Sequence, residues 1–107
     1  MSRQGLVYYN NIECGIISET DDGFVFSYNQ DYLELNNAKA ISLTLPLSYD
    51  EYFSPMLHPF FDGLIPEGWL LEIAIDKWGL KRNDRMGLLL SVCEDTIGAV
   101  SVREVKK

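Results

Sequence analysis

The stretch Phe60-Phe61-Asp62-Gly63-Leu64-Ile65-Pro66-Glu67-Gly68-Trp69-Leu70-Leu71 marks where the chain changes its hydrophobic period. Before it, apolar residues tend to alternate. After it, they recur every third or fourth position, the change from a strand pattern to a helix pattern. Gly63 offers a backbone free to take positive φ. Pro66 has φ preset for a first helical position and lacks only an N–H that would be orphaned there. Glu67 then falls in the first turn, where a negative charge meets the positive end of the helix dipole. The helix is predicted to run to Trp78 and to stop at Gly79, a natural residue for a helix C-terminus.

The faces of that helix differ in kind. Leu71, Ala74, Ile75 and Trp78 share one side, the stripe of a core-facing helix. Trp69 falls nearly opposite, beside Glu72, Ile73 and Asp76. Trp69 and Ile73 are neighbours one turn apart. The polar face therefore carries a large aromatic next to a β-branched residue. Either another part of the chain covers them, or they form a docking anchor for a second protein. Under the second reading Trp69 and Ile73 are the anchor, with Glu67, Gly68 and Glu72 around them.

Upstream, residues 3–10 alternate loosely, and Val and Tyr favour strands. Asn10-Asn11 signals a turn. Residues 12–19 read as the return strand, with Ile12, Cys14 and Ile16 on one face until Gly15 loosens it. Thr20-Asp21-Asp22-Gly23 is a hairpin turn, and residues 24–28 form a third, aromatic strand. Residues 29–40 are less regular, with a short strand or turn at Asp31-Tyr32-Leu33. Ile41-Ser42-Leu43-Thr44-Leu45 alternates cleanly, which predicts a strand with Ile41, Leu43 and Leu45 inward, ended by Pro46. Residues 48–59 read as a loop that meets a short helical turn near residues 56–61.

Downstream, Asn83 is a good N-cap with Asp84 in the first turn. Met86, Leu89, Leu90 and Cys93 make a second core stripe. Glu94-Asp95-Thr96 breaks it, and residues 97–105 read as a last strand in which Gly98 and Ala99 permit close packing. The class is α+β: a meander over residues 3–45, then two helices and a returning strand.

Length and composition narrow the functions. A chain of 107 residues is one domain, residues 1–107, and 47% apolar content supplies a single core. The net charge of −7 disfavours phosphate backbones and anionic membranes as partners and favours basic ones. No apolar run approaches the ~20 residues needed to cross a bilayer, and the N-terminus has no hydrophobic signal core. Cys14 and Cys93 are read as buried, reduced thiols of a cytoplasmic protein, with a disulfide between them as the lesser alternative.

No catalytic constellation emerges. His58, the single histidine, carries no signature of a nucleophile or a metal and is read as structural or surface-lying. Cys14, Cys93 and His58 lack zinc-ligand spacing. No glycine-rich phosphate loop is present. Glu67, Glu72 and Asp76 read as solvated helix charge. The expectation is a protein without enzymatic turnover, metal or cofactor.

Ile41-Ser42-Leu43-Thr44-Leu45-Pro46-Leu47 followed by FFDGLIPEGW over residues 60–69 resembles the N-terminal region of HipA-type Ser/Thr kinase toxins, with its LSLPL strand and F…LLPEG turn. Asn83-Asp84-Arg85-Met86-Gly87-Leu88-Leu89 and Ile97-Gly98-Ala99-Val100 are similar to it in order and spacing. The chain departs near Val92-Cys93-Glu94-Asp95, where that family often has a glycine. The resemblance implies a small antiparallel β-sheet or barrel capped by two or three helices. In those toxins the region precedes a kinase domain, and no kinase lysine or catalytic aspartate follows within these residues. The chain is therefore similar to HipS-type proteins of three-part HipB–HipS–HipT toxin–antitoxin systems. The resemblance implies an antitoxin that binds and neutralises a HipT-like kinase toxin, in a complex that also takes in a HipB-like helix-turn-helix protein. It would contact neither nucleic acid nor membrane directly. The other reading it allows is a structural N-terminal lobe, or a fragment, of a HipA-type kinase.

Overall fold

Two local turns set the first three strands. A computed structural model describes residues 3–93 and 99–105, without the side chain of Trp69. Strands β1 (Gln4–Tyr9) and β2 (Ile12–Glu19) are joined at Asn10 and Asn11, both at positive φ (50° and 68°). Two left-handed residues make the hairpin turn whose twist matches its strands, and asparagine tolerates that region. At the next turn the Thr20 hydroxyl accepts from the Gly23 N–H at 3.0 Å and starts β3 (Phe24–Tyr28).

The pairing of β1 with β2 shifts register between Val7 and Tyr8. A bulge of this kind reverses which side chains face inward. Cys14 and Ile17 are buried, whereas Ile12 is 47% exposed and Ile16 is half-buried. The single face expected for Ile12, Cys14 and Ile16 is thus split by the bulge beside Gly15.

The expected strand at residues 41–45 is instead a tight turn. Ile41 and Leu45 are buried, but Leu43 is 99% exposed. The Leu45 N–H reaches the Ser42 carbonyl at 3.1 Å, and the Ser42 hydroxyl accepts from the Thr44 N–H at 3.2 Å. Hydroxyl side chains offer the backbone such local partners in competition with a ladder. Tyr28 holds the turn, because its hydroxyl donates to the Leu45 carbonyl and accepts from the Ile41 N–H.

A one-turn helix α1 (Gln30–Leu33) occupies the less regular segment, and the predicted loop contains a short strand β4 (Tyr52–Ser54). Then follow α2 (Pro59–Asp62), α3 (Trp69–Trp78), α4 (Arg85–Val92) and β5 (Val100–Glu104). The strands form one open antiparallel sheet in the order β4-β3-β2-β1-β5. The fold is α+β, an open sheet rather than a barrel. It carries four helices among the described residues, two of them single turns. The expected break at Glu94-Asp95-Thr96 and the strand start at Ile97 and Gly98 lie outside the described residues.

The helices pack on one face of the sheet. Phe26 and Phe61 meet with ring centroids 5.4 Å apart, and both are buried with Val7, Ile17, Leu88, Leu89 and Val102. Full burial of such side chains stabilises by about 1.5–3 kcal/mol each, before the entropy of ordering them. The stripe Met86, Leu89, Leu90 and Cys93 is buried as predicted, and Gly87 and Leu88 are buried too. Cys14 and Cys93 are free, buried thiols, and burial pushes their pKa values up to about 12 and about 11.

Candidate docking face

Two buried side chains fix the base from which α3 projects. Phe61 and Ile65 sit in the core on either side of Gly63, and the Cys93 thiol donates to the Leu64 carbonyl at 3.4 Å. His58 is the N-cap of α2, its Nδ1 accepting from the Phe60 N–H at 3.1 Å. Burial lowers its pKa, in keeping with a neutral imidazole acceptor. Asp62 pairs with Arg85 at 2.6 Å and ties α2 to the start of α4.

The glycine that the turn requires is Gly68, not Gly63. Gly63 has φ −69°, an ordinary right-handed value. Gly68 has φ 63° and ψ −140°, and is the N-cap of α3. Only glycine populates that region freely. Pro66 and Glu67 therefore precede the helix instead of forming its first turn. The Gly68 carbonyl accepts from the N–H groups of Leu71 (3.1 Å) and Glu72 (3.2 Å). At the other end Gly79 is left-handed, φ 63° and ψ 32°, and the Leu80 N–H returns to the Ile75 carbonyl at 3.1 Å. That is the closure predicted for this end.

Between these caps the faces divide. Leu71 and Ala74 are buried and Ile75 is half-buried. Trp78, expected in the same stripe, is 47% exposed, with the Lys77 ammonium 4.9 Å from its ring centroid. It lies in the last turn, where the wheel still points inward but the core has ended. Ile73 is half-exposed, as the helical wheel placed it. Leu70, which the sequence reading passed over, is exposed to the same degree one turn before it. The signal was present in the spacing, since Leu70 and Ile73 are neighbours on a helix surface.

The remaining docking candidates sit around this pair. Glu67 and Gly68 are exposed just before the helix. Glu72 is exposed and already engaged by Arg82 in a surface ion pair, so its charge is partly answered within the chain. Trp69 is the first residue of α3, and its side chain lies outside those described. Among the described residues, no group of three or more His, Cys, Asp or Glu is placed to hold a metal. No described helix is long and apolar enough to cross a membrane.

These features define a small α+β domain whose sheet is covered on one face and whose best-presented helix shows apolar side chains to solvent. Its chain belongs to the HipA N-terminal domain family, whose sequence model matches residues 5–103. It is 33% identical over 105 residues to an uncharacterized protein of Haemophilus influenzae, covering 98% of this chain and 95% of that one. It is 30% identical over 88 residues to "Putative kinase Y4dM" of Sinorhizobium fredii, covering 77% of this chain but 22% of that much longer one. Among solved structures it is similar to the N-terminal domain of HipA toxin. The TM-score is 0.72 at 30% identity, over 98% of this chain and 94% of that one.

Proposed function

We propose that this protein is the antitoxin of a three-part HipB–HipS–HipT system, a cytoplasmic, non-catalytic binding module that neutralises a HipT-like Ser/Thr kinase toxin through the outer face of α3. The observation that carries this reading is the exposed pair Leu70 and Ile73, each 51% exposed, on a helix pinned at both ends by glycines. An apolar pair on a rigid helix suits recognition, because little side-chain and backbone freedom is left to lose on docking. Trp69, one turn before Ile73, is the proposed main anchor, with Glu67, Gly68 and Glu72 at the rim. Rim carboxylates act more on association rate than on affinity. A HipB-like partner completes the complex, and neither nucleic acid nor membrane is contacted directly.

The test combines melting temperature with affinity for a co-expressed HipT-like kinase. Trp69→Ala should melt near the wild type yet bind at least about tenfold more weakly, as loss of an anchor implies, and Ile73→Ala should do the same more mildly. Neutralisation of kinase activity should fall in parallel. Unchanged affinity, or a loss of stability large enough to account for all the lost binding, defeats the reading.

The match to a segment of the longer Sinorhizobium protein supports a second reading, a structural N-terminal lobe of a HipA-type kinase. In that case purified protein would fail to inhibit any kinase supplied as a separate chain.

A further inference from the structure

The two edges of the sheet are finished differently. At the β5 edge the Val102 N–H donates to the Cys93 carbonyl at 2.8 Å, so the end of α4 partly closes it. At the other edge β4 pairs, among the described residues, with β3 alone. Among the described residues, no backbone hydrogen bond beyond that ladder reaches Tyr52, Phe53 or Ser54. An edge of this kind keeps unpaired amides and carbonyls and is a template for another strand.

The side chains beside the edge state what would fit. Phe53 lies opposite Val25 on the sheet face away from the helices and is 58% exposed, and nearby Met56 is 75% exposed. Asp50 and Glu51 stand just before the strand, exposed. Asp21 and Asp22 are exposed in the β2–β3 turn, next to Gly23, which abuts the far end of the strand: a Cβ on Gly23 would meet the Ser54 carbonyl oxygen at 2.3 Å. None of these four carboxylates joins an ion pair among the described residues. The edge is apolar in its middle and negative at both ends.

We infer that the free edge of β4 receives a short extended segment of a partner protein, apolar at its centre and carrying lysine or arginine at both ends, which adds a sixth strand to the sheet. Main-chain pairing supplies attachment and the alternating side chains supply selection. A second copy of this chain is the poorer occupant, since it would bring the same four carboxylates against themselves in a protein of net charge −7. The surface is separate from the α3 face, and the inference stands whether or not α3 docks on a kinase.

The probe is a fluorescein-labelled peptide, acetyl-Lys-Arg-Val-Thr-Val-Lys-Arg-amide, titrated with the intact protein and read by anisotropy. Amide hydrogen exchange follows residues 52–54. Saturable binding with new protection at those amides is expected. The quadruple variant Asp21→Asn, Asp22→Asn, Asp50→Asn, Glu51→Gln should weaken binding about tenfold at low salt while melting as the wild type does. Ile73→Ala should leave it unchanged. The inference is overturned by absence of saturable binding, or by equal binding of the same peptide N-methylated at alternate amides, which retains charge but cannot pair. It is equally overturned if protection appears on protein concentration alone, with a dimer that excludes the peptide.

Discussion

Arg3 and Asp84, 81 positions apart in sequence, are joined by two hydrogen bonds of 2.8 and 3.0 Å. The same guanidinium grips Glu19 at 2.8 and 2.9 Å. Asp84 is also the N-cap of α4, accepting from the Gly87 N–H at 3.1 Å. One cation thus fastens the start of β1, the end of β2 and the beginning of α4. The planar fork of arginine suits this double grip, and a lysine would not reproduce it.

Asp84→Ala should lower the unfolding free energy by about 1–2 kcal/mol, the usual consequence of losing an N-cap, with a further loss because Arg3 keeps only one partner. Asp84→Asn retains a capping oxygen without the charge and should fall between. Urea titration followed by tryptophan fluorescence measures both. A midpoint for Asp84→Ala equal to the wild type would show that the clasp contributes nothing.

The clasp also predicts acid sensitivity. Hydrogen bonds from Arg3 hold the carboxyls of Glu19 and Asp84 below their usual values of 4.5 and 3.8. As pH falls, the unfolded chain takes up these protons before the folded one does. The associated stability is complete above about pH 5.5 and is lost progressively as pH drops through the depressed folded values. Arg3→Gln should therefore lower stability at neutral pH and flatten the decline of melting temperature toward pH ~3. A decline as steep as in the wild type would assign it to other carboxylates.

Leu71→Ala should cost about 2–5 kcal/mol, as a core truncation does. Leu71 is 7% exposed, whereas Ile73 and Trp78 are 51% and 47% exposed. Ile73→Ala and Trp78→Ala should each lower stability far less. Denaturation midpoints for the three variants check the order. Equal midpoints for Leu71→Ala and the wild type would mean that the helix faces are reversed.

Gly68→Ala should destabilise by about 1–3 kcal/mol through backbone strain alone. Among the described residues a Cβ there meets nothing within 4 Å, so no clash with them contributes. Gly79→Asn should be milder, because asparagine tolerates the left-handed region. A Gly68→Ala midpoint within error of the wild type would mean that the turn relaxes to another conformation.

What the sequence made legible was local. Asn10-Asn11 and Thr20 to Gly23 turn the chain by their own chemistry, so the meander was readable without knowing its neighbours. The end of α3 at Gly79 and the buried stripe of α4 were readable for the same reason. The segment 41–45 misled because its alternation is real but unused: Ser42 and Thr44 close a turn, and Leu43 projects into solvent. β4 was missed because three residues carry no period, and pairing of Phe53 with Val25 makes them a strand. The Arg3 clasp joins residues from opposite ends of the chain, which no spacing rule reaches. At the docking face, the exposure of Ile73 was legible from the wheel, whereas the start at Gly68 was not, because a proline–glutamate pair looks the same inside a first turn or just before one.

The strand order has a kinetic consequence. β1 lies between β2, its neighbour across a tight turn, and β5, which places Glu104 opposite Gly5. The first three strands can assemble from nearby contacts, but the second flank of β1 waits for a loop of nearly the whole chain to close. During synthesis Val7 therefore has one neighbour strand long before Val102 arrives to cover it. An unfinished chain carries as a bare edge a strand that the finished sheet flanks on both sides, the species most prone to pair with the wrong molecule. Arrival of β5 removes that hazard, so the final strand should govern both how fast the protein matures and how much of it escapes aggregation.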